Sequence, residues 1–238
     1  MITENMRGLI KNGATIRAMF EEGKELARKY GKENVYDFSL GNPNVETPEE
    51  IKKLICEIVS EEDSLNLHGY MSNSGYEDVR KTIANSINKK YELNIDEQSI
   101  VMTCGAAGGL NIIFKSILEE GDEVIVFAPF FGEYSNYIKN FKGKEVIAST
   151  EENTFLPDVE DLKRNITERT KAVIINSPNN PTGVIYSSKV IEDICFVLKQ
   201  KQLEYNNDIY LIADEPYREL IYDDTDVPYI FNYYDNSF

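Results

Sequence analysis

The chain of 238 residues has no tryptophan, one histidine and three cysteines. With His68 as its single histidine, neither a histidine-based metal cluster nor a Ser/His/Asp triad is expected within one chain. Cys56, Cys104 and Cys195 lie far apart with no CxxC pair, which argues against a disulfide framework and for a reducing compartment. Basic residues are scarce, 25 against 41 acidic ones, for a formal charge of −16. Such a surface repels phosphate backbones and argues against a nucleic-acid partner. An anionic ligand would have to be held by local donors rather than by the overall field. No stretch approaches the run of about 18 apolar residues that spans a membrane. The opening "MITENMRGLIKNGATIRAMF" also lacks the apolar core of a signal peptide. The expectation is therefore a cytoplasmic protein with no membrane partner.

What is present is globular: 42% hydrophobic and 11% aromatic residues, enough for one large domain with a smaller annex. Ile16, Met19, Phe20, Leu26 and Ala27 recur at three-and-four spacing and predict a helix that Gly31 stops. "YDFSLGNPNVETPEE" reads as a short strand and a turn, with Thr47-Pro48-Glu49 starting the next helix. Residues 64–76 read as a polar loop, followed by a helix in "EDVRKTIANSINKKYE". Beyond residue 98 the element types alternate. Strands are expected in "SIVMTC", "DEVIVFAP", "KEVIAST", "KAVIIN" and "DIYLIADE". Helices are expected in "AGGLNIIFKSILEE", "DVEDLKRNI" and "SKVIEDICFVLKQK". This alternation predicts an α/β fold, a mostly parallel sheet in three layers with helices on both faces. Residues 1–46 are read as a helical arm with part of a small domain, and 47–238 as the large domain.

Three strand ends carry chemistry. In "VMTCGAAGGLNIIF", small residues lead straight into a helix, so free N–H groups at its amino end could hold a phosphate. The same glycines could simply let helix and sheet approach. In "AVIINSPNNPTGVIY", turn residues follow a buried strand, where open α/β sheets keep ligands. Asn180 there either meets the ligand or ties down the turn. In "IYLIADEPYREL", Asp214 closes an apolar strand, a costly place for a carboxylate without a partner. That partner could be a protonated heterocyclic nitrogen, with Tyr217 reaching the same ligand, or Asp214 could cap the next turn. A plain NAD-binding domain is excluded for want of the glycine fingerprint and its ribose-binding acid.

The combination and order of these stretches resemble the fold-type I, pyridoxal-phosphate-dependent aminotransferases of the aspartate aminotransferase-like class I/II group. The matching segments are "SLGNPN", "HGYMSNSGYEDVRKTIA", "TCGAAGGL", "GDEVIVFAPFFGEY", "FLPDVEDLKRNITERTKAVIINSPNNPTG" and "IADEPYREL". The resemblance implies that Gly105, Ala106 and Ala107 give backbone N–H groups to the cofactor phosphate. It implies that Phe131 stacks on the pyridine ring, with Phe130 as its rival. Asn180 and Tyr217 would bond the ring oxygen, Asn180 also touching the substrate carboxylate. Asp214 would keep the ring nitrogen protonated. Tyr70 would reach the phosphate of a neighbouring subunit, implying a homodimer. Gly41 and Asn42 would form the substrate-edge turn, and His68 is either structural or at the site's edge.

The family's lysine that forms a Schiff base with the cofactor lies further along than this sequence reaches. Asp214 is followed by 24 residues, none of them lysine. The family's nearby phosphate-binding arginine and carboxyl-terminal substrate arginine are missing as well. The chain is therefore expected to be the amino-terminal portion of a longer enzyme, without a catalytic residue of its own. "YYDNSF" is expected to lead into a further strand. The implied activity of the parent is amino-group transfer between an amino acid and a 2-oxo acid. The alternatives are a lyase on the same scaffold or a non-catalytic module that binds the cofactor.

Overall fold

In a computed structural model the four strands expected beyond residue 120 all form: β1 Glu123–Phe127, β2 Lys144–Ala148, β3 Thr170–Asn176 and β4 Tyr210–Asp214. The structure describes residues 2–38, 41 and 45–238. All pairings are parallel, in the order β2-β1-β3-β4. Ile125, Val173 and Leu211 stand side by side across the β1–β3 and β3–β4 pairings. Because strand side chains alternate between faces, these three belong to one core, and Val124, Ala172 and Ile212 to the other.

Each face receives its own helices. α7 (Val159–Asn165) and α8 (Ser188–Tyr205) cover the first with Leu162, Ile191, Ile194 and Leu198. α5 (Gly105–Ile117) and α6 (Tyr134–Asn140) cover the second with Leu110, Phe114, Tyr134 and Ile138. The helix starts are local chemistry: Asp158 accepts from the Asp161 N–H at 2.9 Å, and Ser187 accepts from the Val190 N–H. The three-layer α/β expectation is met.

Three elements differ from the expectation. "SIVMTC" forms no strand: residues 100–104 are unpaired among the described residues, and Val101 and Met102 are exposed. Its β-branched composition signals extension, but a strand also needs a hydrogen-bonding neighbour. Met102 N donates instead to Ser74 O at 2.9 Å. Residues 64–76, expected as loop, begin with the short helix α3 (Ser64–His68), which Asp63 caps through the Leu65 and Asn66 N–H groups. The short strand expected in "YDFSL" is absent from its described part, residues 36–38. One element was not anticipated. α6 buries only Tyr134 and Ile138, a single turn apart, too little periodicity to stand out.

The described residues fall into two compact units, Met1–Tyr70 and Met71–Phe238. The first holds α1 (Glu4–Tyr30), α2 (Glu49–Glu61) and α3. α1 stops at Gly31, whose φ of +89° suits glycine, and α2 starts behind Pro48. The second holds α4 (Glu77–Tyr91), the sheet and its covering helices. Residues 236–238 run beside β4, with Ala213 N donating to Phe238 O at 3.0 Å and Phe238 N to Leu211 O at 3.0 Å. These contacts make an isolated parallel bridge between Leu211 and Ser237, not a fifth strand.

Candidate functional site

Chain order and sheet order diverge between β1 and β3, since the chain leaves β1 toward β2 and returns on the other side. Crevices at the carboxyl ends of strands at such a reversal are where open α/β sheets bind ligands. Here a cavity of about 240 Å³ opens at that edge. Ala106, Ala107, Phe131, Asn180, Asp214 and Tyr217 all line it. Six of the residues singled out in the sequence are thus brought together from four separate segments.

Asp214 ends β4, half-buried. The buried Tyr134 hydroxyl donates to its Oδ2 at 2.6 Å. Burial raises the Asp214 carboxyl above the usual aspartate range, and the Tyr134 hydrogen bond partly offsets this. Burial, then the Asp214 charge, drives the Tyr134 hydroxyl far above its ordinary range, so it stays a donor. Tyr134 was not singled out in the sequence. Its only signal is its place one turn after Phe131.

The turn "NSPNNPTG" is built by its own side chains. Asn179 Oδ1 accepts from the Thr182 N–H at 3.1 Å and hydroxyl at 2.8 Å, and Ser177 Oγ accepts from Tyr186 N at 2.8 Å. The Ser177-Pro178 and Asn180-Pro181 peptides are cis. Asn176, 5% exposed, joins the turn to β4: its Nδ2 donates to Asp214 O at 2.6 Å and its Oδ1 accepts from Asn180 N at 2.6 Å. Asn180 Nδ2 then stands 3.5 Å from the Tyr217 hydroxyl. The two adjacent asparagines thus divide the work, Asn179 closing the turn and Asn180 facing the cavity. Asn176 was missed because a lone Asn at a strand end resembles any turn residue. Asn176→Ala leaves two part-buried backbone groups without this partner and is expected to cost about 1–3 kcal/mol in all. Chemical denaturation checks this, and a loss of under about 0.5 kcal/mol, typical of surface positions, would count against the bridge.

The opposite wall is the amino end of α5. Cys104 makes no side-chain cap there. Gly105 has φ +73°, which favours glycine, and its N–H donates back to Thr103 O at 3.0 Å. Gly105 therefore serves the backbone path, while Ala106 and Ala107 line the cavity. Phe131 meets Tyr134 edge-on, with ring centroids 5.6 Å apart, and faces the cavity. Phe130 packs instead into the core beside α5 and α6. The wall suits a planar ligand with an anion at one end and a protonated ring nitrogen at the other.

Gly41, Tyr70 and His68 belong to the first unit, where all three are exposed. Among the described residues, none beyond its chain neighbours places a heavy atom within 4 Å of where a Gly41 side chain would begin. Asn42 lies outside the described residues. Among the described residues no cluster of His, Cys, Asp and Glu could hold a metal, and no helix is long and apolar enough to cross a membrane.

Residues 33–235 match the family model described as aminotransferase class I and II. The chain belongs to this family. It is 33% identical over 219 residues to an aspartate aminotransferase of Pyrococcus horikoshii, covering 92% of this chain and 52% of that protein. It is 32% identical to an aspartate/prephenate aminotransferase of Thermus thermophilus, covering 92% of this chain and 55% of the relative. Among solved structures, an amino transferase from Eubacterium rectale superposes with a TM-score of 0.93 at 38% identity, covering 100% of this chain and 60% of that one. The Thermus thermophilus aspartate aminotransferase with maleate gives 0.76 at 30% identity, covering 90% and 53%. The chain thus spans about half the length of the curated relatives it matches. Class I and II aminotransferases depend on pyridoxal phosphate.

Proposed function

We propose that the whole protein moves an amino group between an amino acid and a 2-oxo acid, and that this chain supplies most of the seat for pyridoxal phosphate. The observation that carries the reading is Asp214, a half-buried carboxylate bordering a cavity whose far wall is the uncapped end of α5. The residues fit the cofactor. The Ala106 and Ala107 N–H groups, with Gly105 shaping their approach, would hold its phosphate. Phe131 would lie against the ring, and Asn180 and Tyr217 would hold the ring oxygen. Asp214 would hold the proton on the ring nitrogen, with Tyr134 occupying its Oδ2. Once bound, the cofactor draws electrons from the substrate's α-carbon. Asn180 with Gly41 and Asn42 would hold the substrate carboxylate, and Tyr70 would reach the phosphate of a neighbouring subunit in a homodimer. A cytoplasmic setting in amino-acid metabolism suits the three unpaired cysteines.

Intact mass of the full-length protein after incubation with pyridoxal phosphate and borohydride tests this directly. One cofactor mass on one lysine, together with conversion of an amino acid to its 2-oxo acid, supports transfer. Uptake of the cofactor without any adduct would leave a binding module instead. An adduct accompanied by loss rather than transfer of the amino group would make it a lyase.

A further inference from the structure

Arg218 lies next to the cavity-lining Tyr217 but points away from it, with its side chain only 11% exposed. Its Nε donates to Glu215 Oε2 at 2.8 Å, and Nη2 pairs with Glu215 Oε1. Nη1 donates to Val227 O at 2.7 Å and Nη2 to Pro228 O at 2.8 Å. The guanidinium sits 4.9 Å from the Tyr229 ring centroid and 5.3 Å from that of Tyr91. Those two rings stack 4.3 Å apart, within 4° of parallel. A planar fork with most of its donors engaged, and set against aromatic rings, is a rigid joint rather than a surface ion pair.

The joint ties together parts that carry the two walls of the cavity. Glu215 directly follows Asp214, and the Arg218 N–H also closes on Glu215 O at 3.2 Å, bracketing Tyr217. Tyr91 ends α4, and Lys90 pairs with Glu219 across the same gap. Toward the other end of α4, the buried Arg80 donates to the carbonyls of Gly75 and Glu97. Those carbonyls flank the segment that leads through Met102 into the amino end of α5. Among the described residues no backbone hydrogen bond joins residues 100–104 to β4. Beneath the cavity the two walls share the core of Leu110, Phe114 and Ile212. α4 adds a second tie between them, anchored by Arg80 toward one end and by Arg218 at the other.

We propose that Arg218 is a positioning residue: with Glu215, Tyr91 and Tyr229 it forms a clasp that sets Asp214 and Tyr217 at a fixed distance from the amino end of α5. The inference rests on the cofactor reading of that cavity. It does not require Arg218 to touch any ligand.

The test compares full-length wild type with Arg218→Met, Arg218→Lys and Tyr229→Leu. Pyridoxal phosphate affinity and the pH midpoint of the bound cofactor's visible band are measured well below the unfolding temperature. Arg218→Met is expected to weaken cofactor binding by about tenfold or more and to move the pH midpoint. Arg218→Lys should recover only part of this, since an ammonium can pair with Glu215 but lacks the planar fork that also reaches two carbonyls. A merely structural role would lower the unfolding temperature and leave both readouts alone. Affinities within about twofold of wild type for both arginine variants, with an unmoved band, overturn the clasp. If Arg218→Met does not fold, the lysine and Tyr229 variants decide by the same criterion. Hydrogen exchange of the cofactor-free proteins separates this from the functional reading. The Leu220 amide, which donates to Tyr217 O at 2.8 Å, should exchange faster in the variants while α8 does not. Wild type that takes up no cofactor would defeat the functional reading, and unchanged Leu220 exchange would defeat the clasp.

Discussion

Asp214→Asn is expected to lower turnover of the cofactor-loaded full-length protein by roughly a few hundred- to a few thousandfold, the about 3–5 kcal/mol that separates a paired from an orphaned buried charge. The amide cannot hold a proton on a ring nitrogen, although it can still accept the Tyr134 hydroxyl. The same change should stabilise the cofactor-free protein at neutral pH. Asp214 sits above its ordinary value of 3.8 chiefly because burial penalises its charge. The native state therefore binds the proton more readily than the unfolded chain. Its stability falls as pH rises from the ordinary value through the raised one. The asparagine variant escapes that loss, so its thermal unfolding should exceed wild type at neutral pH. The gap should close below the ordinary aspartate value. A variant no more stable than wild type at neutral pH would mean that Asp214 is not held against its desolvation. Unimpaired turnover would remove it from the chemistry. A gain in stability coupled to a loss of function is what a group strained for its ligand produces.

The second large effect is expected at Phe114, which is 0% exposed on the buried face of α5. Phe114→Ala should cost about 3–5 kcal/mol, the transfer term for the ring plus the cavity left behind. For a chain of this size that corresponds to about 2–4 °C of unfolding temperature per kcal/mol. Phe114 and Leu110 are the side chains through which α5 grips the sheet. Their loosening should also weaken the phosphate binding proposed for Ala106 and Ala107. Phe196→Ala, at 61% exposure on α8, should stay within about 0.5 kcal/mol of wild type. Denaturant titration of the two variants side by side is the measurement. Equal losses would mean that the core beneath α5 does not anchor it.

The inner strands were legible as short β-branched apolar runs, since β1 and β3 feed a core on each face. α8 was legible because its buried side repeats at Ile191, Ile194, Cys195 and Leu198. "SIVMTC" misled because composition reports a tendency to extend, and pairing depends on a neighbour that no local pattern contains. α6 and α3 are too short for periodicity to speak.

At the site the division is sharper. Sequence by itself determined the residue types at the three strand ends: a bare helix start, an asparagine turn and an aspartate closing an apolar strand. Each is a local oddity, costly or conformationally unusual on its own. Only the tertiary structure decided that Gly105 turns its N–H inward, that Phe131 rather than Phe130 faces the cavity, and that Tyr134 and Asn176 hold Asp214 from side chain and backbone. Tyr134 lies 80 positions from Asp214 and Asn176 lies 38. The reason is physical: hydrogen-bond partners are chosen by packing across the sheet, and sequence separation carries no record of that distance.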